Sequence, residues 1–233
     1  MFPLTTRYPL LEEEVETNLI TTCNHQLLFF YGNAHLKELY MSKKLTKEQI
    51  TDAANSLGLS YAVLKAVIEV EARSSGFFST GEPAILFERH KFWEMLGGIN
   101  WFTIRLKIMA LHPRICNRLS GGYGRFSEQH DKLRIAASYN RDIALQSASW
   151  GIGQVMGYHW KSLHYPSLQV FINDMYHSEA KQLEAMLRYI KVNNLVDELK
   201  RQDWAGFARG YNGKGYAKNN YDEKLRQAYN KHK

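Results

Sequence analysis

The sequence predicts a mainly α-helical protein with one small β element. After Thr46, most stretches repeat apolar residues at steps of three and four, which is the spacing of a helix with one buried face. One short apolar stretch, residues 83–93 (PAILFERHKFW), instead fits a strand followed by a helix. Hydrophobic residues make up 45% of the 233 residues, which is enough for a sizeable core, so disorder is not expected.

Capping residues bound the first two predicted helices. Thr46 and Gln49 fit a capping box at the start of the first helix, and Gly58 ends it. Ser60 is the expected N-cap of a second helix, which continues to about Arg73. Both helices carry an apolar stripe, so each is expected to lie against the core.

The later elements are also predicted to be helical. Residues 131–149 (DKLRIAASYNRDIALQSAS) fit a helix that is interrupted near Tyr139, and Ser178 is expected to open a long helix with a buried stripe. Residues 203–213 (DWAGFARGYNG) predict a short helix that ends in glycine, and residues 220–233 (NYDEKLRQAYNKHK) predict a basic terminal helix.

Charge is distributed unevenly along the chain. The net charge is +7, but residues 1–40 hold two bases and five acids (−3), whereas the remainder holds 28 bases and 18 acids (+10). The composition also changes near position 41. We therefore expect an N-terminal extension of unknown role, residues 1–40, followed by the main domain, residues 41–233. Met41 is a candidate for the biological start, and an ordinary helical arm is the alternative interpretation of residues 1–40.

The basic surface predicts an anionic partner. Nucleic acid, anionic lipid, lipopolysaccharide and anionic cell-wall polymers all fit such a charge. No nucleic-acid-binding motif occurs and the bases are scattered, so nucleic acid is not the expected partner. The basic C-terminal helix could contact an anionic envelope surface, although its apolar face first predicts docking on the domain. We expect a monomer.

The sequence shows no membrane-spanning run, no secretory signal peptide and no metal-binding motif, and these absences lead to predictions about location and cofactors. No apolar run reaches the ~18 residues that span a bilayer, and the acidic start does not fit a secretory signal peptide, so synthesis in a cytoplasm is expected. Two cysteines, Cys23 and Cys116, are too few for a disulfide framework. The histidines show no recognised metal-ligand spacing, so neither a metal nor an organic cofactor is expected.

An acidic residue lies on the apolar face of the second predicted helix. Residues 66–78 (AVIEVEARSSGFF) hold both Glu69 and Glu71. Because a helix turns about 100° per residue, Glu71 lies on the face of Leu64, whereas Glu69 lies roughly 140° away from Leu64. A carboxylate on an apolar face loses hydration, so the pKa of Glu71 is expected to rise toward the range of a general acid. The alternative is a carboxylate that reaches solvent or pairs with a nearby arginine.

Three short motifs resemble those of known cell-wall enzymes, in the same order. VIEVEARSSG (67–76) resembles the glutamate motif of goose-type lysozymes and soluble lytic transglycosylases, SASWGIGQVMG (147–157) their glycine-rich segment, and FARGYNGKGY (207–216) their A-Y-N-G-G segment. AILFERHKFW (84–93) together with the glycine-rich segment resembles the N-acetylmuramidase family found in bacteriophage endolysins. The resemblance covers about residues 45–230 and implies a lysozyme-like helical domain.

The resemblance implies roles for individual residues. Glu71 is implied to be the catalytic acid. Gln154 and Tyr211 are implied to border the subsite of the muramic acid sugar, and Gly153 and Asn212 belong to the same two motifs and are expected to contact substrate. The resemblance therefore predicts that these residues line one cleft, which is formed by three distant parts of the chain.

Two further residues are candidates for the site. Glycoside hydrolysis usually requires a second carboxylate. Glu88 is the candidate because Arg89 and His90 beside it interrupt an apolar run, and a structural salt bridge is the alternative. Trp150, beside the glycine-rich segment, could stack on a sugar face, whereas a core position is the alternative. The chain departs from the wider pattern at Ala72, where serine often follows the acid, and in GIGQ for GLMQ, but neither change removes a titratable group.

The resulting prediction is an endolysin that degrades peptidoglycan. It would hydrolyse the β-1,4 bond between N-acetylmuramic acid and N-acetylglucosamine for host cell lysis. It would be made in the host cytoplasm and reach the wall, in the periplasm, after the membrane has been permeabilised. The alternatives are a lytic transglycosylase that yields 1,6-anhydro products, and a non-catalytic basic protein that binds wall polymer or nucleic acid.

Overall fold

The computed structural model describes residues 43–72, 75–97 and 102–233, apart from the side chain of Lys214. The proposed extension, residues 1–40, and the candidate start at Met41 lie outside the described residues. Their roles therefore stay predictions.

The described residues form a helical domain that carries a small antiparallel sheet. The helices are α1 (Lys47–Asn55), α2 (Tyr61–Glu71), α3 (Arg89–Met95), α4 (Phe102–Leu111), α5 (Gln129–Tyr139), α6 (Arg141–Gln146), α7 (Leu168–His177), α8 (Glu179–Val192), α9 (Val196–Lys200), α10 (Trp204–Asn212) and α11 (Tyr221–His232). The strands are β1 (Ile85–Phe87), β2 (Ala148–Trp150) and β3 (Val155–Met156). Short 3₁₀ turns span Phe126–Glu128, Gly157–His159 and Gly213–Asn219.

The predicted caps are present. Thr46 accepts a hydrogen bond from the backbone of Gln49, and the Gln49 side chain accepts one from the backbone of Thr46, which completes the capping box of α1. The Ser60 side chain caps α2, which ends at Glu71, two residues before the predicted end. Asn140 separates α5 from α6 and caps α6, as the interruption near Tyr139 predicted.

The sheet is only partly visible in the sequence. The predicted strand before α3 is β1, which pairs antiparallel with β2, and β2 pairs antiparallel with β3 in the order β1-β2-β3. Strand β1 has three residues and was predicted because it lies in an apolar run. Strands β2 and β3 have three and two residues and were not predicted, because they lie in a glycine-rich stretch without such a run. The turn that connects them is the glycine-rich segment, so the sheet fixes the position of that motif.

Helix α2, which ends at Glu71, lies in the core. Its apolar residues from Ala62 to Ile68 are buried on one side, and α11 packs against the helix through the buried Leu225 and Ala228. This confirms the predicted docking of the C-terminal helix. The predicted stripe of α8 is also buried, and it consists of Leu183, Met186, Leu187 and Ile190. Among the described residues, no helix is both long and apolar enough to span a membrane.

Candidate active site

Glu71 and Glu69 lie in different environments, as their helical phase predicted. Glu71, in the last turn of α2, is only 6% exposed, and its Oε1 accepts a hydrogen bond of 2.9 Å from Nδ2 of Asn212. Glu69 is exposed and accepts hydrogen bonds of 2.9 Å from Lys231 and 2.6 Å from His232, both on α11. The difference in burial is confirmed, and the catalytic role of Glu71 stays a prediction.

A cavity of about 210 Å³ brings the three motifs together. Its wall combines the end of α2, the β2–β3 turn with β3, the 3₁₀ turn that follows, one residue of α8 and the end of α10. The lining residues are Glu71, Gly153, Gln154, Val155, Met156, Tyr158, His159, Tyr189, Tyr211 and Asn212. Five residues predicted from the sequence therefore meet at one cavity, and Glu71 is the one carboxylate among the described lining residues.

The glycine-rich turn is shaped by backbone geometry. Gly151 has a φ of 65°, and Gln154 has a φ of 46°, a region that residues other than glycine seldom adopt. The Gln154 side chain holds the turn closed, since its Nε2 donates to the carbonyl of Gly151 at 2.8 Å and its Oε1 accepts from the Ser149 hydroxyl at 2.9 Å. A Cβ atom at Gly153 would lie 2.8 Å from the Cβ of Met186, so only glycine fits there without movement of α8.

Tyr211 forms a rigid wall of the cavity. Its hydroxyl donates a hydrogen bond of 2.8 Å to the carbonyl of Gly153, and its ring stacks on Phe207 and meets the edge of Tyr189. Burial, and then the negative charge of Glu71, raise the pKa of Tyr211 well above its usual value. Tyr211 is therefore a neutral hydrogen-bond donor at any physiological pH.

An aromatic side of the cavity was not predicted from the sequence. His159 lies between the rings of Tyr158 and Tyr189, with centroid distances of 4.3 Å and 5.0 Å. Burial lowers the pKa of His159, so its ring is neutral at pH 7. A neutral aromatic surface next to polar groups suits a sugar ring, which has an apolar face and polar edges. The histidine had no motif around it, so only the fold reveals its position.

Two predicted site residues lie elsewhere. Trp150 is buried in β2 with its Nε1 donating to the carbonyl of Leu145 at 3.0 Å, so its ring has no face open to a sugar and the core alternative is correct. Glu88 occupies the N-cap position of α3, without a capping hydrogen bond from its side chain, and it lies outside the cavity lining. Its carboxylate accepts a hydrogen bond of 3.2 Å from the Tyr123 hydroxyl and lies 3.1 Å from Nδ1 of His90, and these contacts within the fold favour a structural role, which was the alternative.

Comparison with known proteins decides the family. A family model described as Muramidase: N-acetylmuramidase matches residues 60–233. The chain belongs to the N-acetylmuramidase family. It is therefore a lysozyme-like enzyme that degrades peptidoglycan.

A solved structure supports the same assignment for the muramidase. The "Crystal structure of Burkholderia AP3 phage endolysin" is 37% identical to this chain and has a TM-score of 0.74, over 82% of this chain and 72% of that chain. No curated protein sequence matches the chain significantly. The match confirms the predicted lysozyme-like, mainly α-helical fold and the resemblance that the three motifs indicated.

A buried glutamine joins two walls of the muramidase site. Gln182 on α8 is 1% exposed. Its Nε2 donates to the carbonyls of Gly76 (3.0 Å) and Met175 (2.9 Å), and its Oε1 accepts from the amide of Ile152 at 3.0 Å. Gly76 lies in the segment after the helix of Glu71 and Ile152 lies in the glycine-rich turn, so one side chain links that segment to the turn.

A buried carboxylate holds the same segment of the muramidase from its other side. Glu179, at the start of α8, accepts hydrogen bonds from the amides of Leu45 (3.0 Å) and Gly76 (2.9 Å), from Lys44 and from Ser75. Burial raises the pKa of Glu179, but the amide hydrogen bonds and Lys44 outweigh burial, and the net pKa lies below its usual value. Glu179 is therefore an ionised group that stabilises the folded chain.

The lowered pKa of Glu179 predicts that the free energy of unfolding of the muramidase decreases at acidic pH. The folded pKa is lowered from 4.5, so the unfolded chain binds a proton first as the pH falls. The contribution of Glu179 to the free energy of unfolding is therefore complete above about pH 4.5 and disappears as the pH falls through the folded pKa. Denaturant unfolding of the wild type and Glu179→Gln should show a difference at pH 7 that shrinks toward about pH 3. A difference that is constant with pH would contradict this role.

Proposed function

We propose that this protein is an endolysin that hydrolyses the β-1,4 bond between N-acetylmuramic acid and N-acetylglucosamine. The observation that carries the proposal is the buried carboxyl group of Glu71 in a cavity built by all three motifs. Membership of the N-acetylmuramidase family and the likeness to a phage endolysin support it.

In this proposal Glu71 is the general acid. Its carboxyl group must carry a proton, which it transfers to the glycosidic oxygen as the bond to C1 of the muramic acid sugar breaks. N-acetylglucosamine leaves with a free hydroxyl, and a water molecule adds its oxygen to C1. The proton that this water loses passes to solvent, and Glu71 is reprotonated for the next cycle. Asn212 orients the carboxyl group through its hydrogen bond to Oε1, while Tyr211 keeps the carbonyl of Gly153 in place at the opposite wall.

A second route is favoured by one observation. Among the described residues that line the cavity, Glu71 is the one carboxylate, whereas hydrolysis usually employs two. In a lytic transglycosylase the C6 hydroxyl of the muramic acid sugar attacks its own C1, and the group that protonated the leaving oxygen can take up the hydroxyl proton. Such a route requires no carboxylate to activate water. Glu88 as the second acid of the hydrolytic route stays a prediction.

The products of digestion distinguish these routes. Mass spectrometry of peptidoglycan treated with the protein should show muropeptides with reducing N-acetylmuramic acid ends, because hydrolysis adds one water. If the muropeptides instead carried 1,6-anhydro ends, their mass would be lower by one water, and the enzyme would be a lytic transglycosylase and not a hydrolase. Absence of soluble muropeptides would support the alternative of a protein that binds the wall without cleaving it.

We also propose a place for this activity in host cell lysis. The protein would be made in the host cytoplasm and would reach the wall, in the periplasm, after a separate agent has permeabilised the membrane. Helix α11 remains a proposed contact for an anionic envelope surface. It keeps exposed bases at Lys224 and Lys233, while Lys231 and His232 pair with Glu69.

A further inference from the structure

Helix α4 presents apolar side chains to solvent. A surface helix normally turns its apolar stripe toward the core and its polar residues outward. In α4, Ile108 is the one fully buried residue, and Thr103 and Lys107 are the exposed polar residues. The exposed large apolar residues are Phe102 (54% exposed), Ile104 (40%), Leu106 (38%) and Leu111 (70%).

The apolar surface extends beyond α4 on both sides. At one end, Leu111 and Ile135 of α5 line a shared cavity of about 400 Å³. The guanidinium groups of Arg105 in α4 (4.5 Å) and of Arg118 (5.8 Å) both lie over the ring of Trp93, which brings the loop after α4 next to the helix. Leu119 in that loop is 71% exposed. We call this set, the exposed residues of α4 with Leu119 and Ile135, the α4 surface.

The α4 surface is cationic. From Phe102 to Arg125 the chain contains no acid and five bases, which are Arg105, Lys107, Arg114, Arg118 and Arg125. The acids that face it from α5 and the preceding turn are already paired, Glu128 with Arg114 and Asp131 with Arg134. Among the described residues, neither Lys107 nor Arg118 forms an ion pair. Positive charge is therefore available beside the exposed apolar groups.

We propose that the α4 surface binds the anionic phospholipid surface of a membrane. Apolar side chains of an interfacial helix enter the boundary between headgroups and acyl chains, and neighbouring bases bind the phosphate groups. Both kinds of group are exposed on the α4 surface. A helix of ten residues is about 15 Å long, so it lies in the interface and does not span the bilayer.

Charge also decides between a membrane and a second copy of the chain. Two copies that met through this surface would bring their unpaired bases together, which opposes association. An anionic lipid surface instead neutralises them. This binding would hold the enzyme at an envelope membrane next to the wall, and it is separate from the chemistry at Glu71.

The test is binding of the full chain to lipid vesicles. We expect sedimentation with vesicles that contain phosphatidylglycerol, weaker binding at high salt, and weak binding to pure phosphatidylcholine. Phe102→Ser, Leu111→Ser and Leu119→Ser combined should weaken binding at least about a hundredfold, because three inserted apolar groups are lost. Lys107→Gln with Arg118→Gln should weaken it about 25-fold, or about fivefold for each base.

Matched controls separate this surface from the rest of the protein. Val170→Ser with Val192→Ser removes exposed apolar groups elsewhere, and Lys224→Gln with Lys233→Gln removes bases of α11. The valine control should bind vesicles like the wild type. The α11 control should lose less binding than Lys107→Gln with Arg118→Gln, because none of the large apolar residues that are exposed in the described chain lies on α11. All variants should digest purified peptidoglycan normally, which shows that the fold and the site are intact.

Three outcomes would overturn the proposal. Vesicle binding could be unchanged in the two α4 variants, or it could be lost only in the α11 control, which would move the contact to α11. The wild type could also be a dimer that the apolar α4 variant dissociates, with no vesicle binding by either. Light scattering on the same samples detects that third outcome.

Discussion

Glu71→Gln should lose peptidoglycan clearing by at least about a hundredfold while circular dichroism stays unchanged. General acid catalysis contributes about 10²–10⁴ to the rate, and glutamine has no proton of suitable acidity to transfer. The substitution preserves the size of the side chain, and the glutamine oxygen can still accept the hydrogen bond from Asn212. The fold should therefore survive, and turbidity loss of purified peptidoglycan measures the effect.

Glu69→Gln is the matched control for Glu71→Gln. It makes the same chemical change two residues earlier in α2, on the face that bonds Lys231 and His232 rather than the cavity. Clearing should stay close to that of the wild type, since exposed ion pairs contribute roughly 0–1 kcal/mol. Near-normal clearing by Glu71→Gln, or an equal loss in both variants, would refute Glu71 as the acid.

The difference in burial between Glu71 and Glu69 could be predicted from the sequence because it depends only on their positions within one helix. Helical phase alone places Glu71 on the Leu64 face, and the caps at Thr46 and Ser60 define where the helices begin. The motif residues Gln154 and Tyr211 could be found for another reason, since the resemblance carried them and the fold then placed both at one cavity.

Other features depend on contacts that no local pattern encodes. Trp150 could have pointed to the cavity or to the core, and pairing of β2 with β1 and β3 decides for the core. His159 belongs to the cavity because α8 brings Tyr189 against its ring. Gln182 lies in a regular amphipathic helix and bonds Gly76, which is 106 residues away along the chain. Contacts of this kind join residues that are distant in the sequence, so they can be identified only from the folded structure.

The hydrogen bonds of Gln182 predict the second large effect. Gln182→Ala leaves two buried backbone groups without partners, the amide of Ile152 and the carbonyl of Met175, and removes one of the two hydrogen bonds to the carbonyl of Gly76, which keeps the amide of Ala84. Each unsatisfied buried group costs about 1–3 kcal/mol, so with two such groups we expect the free energy of unfolding to fall by about 2–5 kcal/mol. Denaturant unfolding at pH 7 measures this loss.

The same glutamine should also affect catalysis, because it links the segment that follows the helix of Glu71 to the glycine-rich turn. At a temperature at which the variant is folded, kcat should fall about tenfold to a hundredfold, since small displacements of reacting groups are costly. Gln182→Glu tests hydrogen bonding apart from volume, because a carboxylate fills the same space but cannot donate to the two carbonyls. It should also lose stability.

Gln169→Ala provides the control for both measurements. Gln169 is also a glutamine in a helix, but it is exposed and bonds the side chains of Arg141 and Asn173. Its loss leaves groups that water can satisfy, so stability should change by less than about 0.5 kcal/mol and kcat should not change. If Gln182→Ala lost stability but kept the wild-type kcat in the folded state, Gln182 would only stabilise the fold and would not position Glu71. If its effect matched that of Gln169→Ala, neither role would hold.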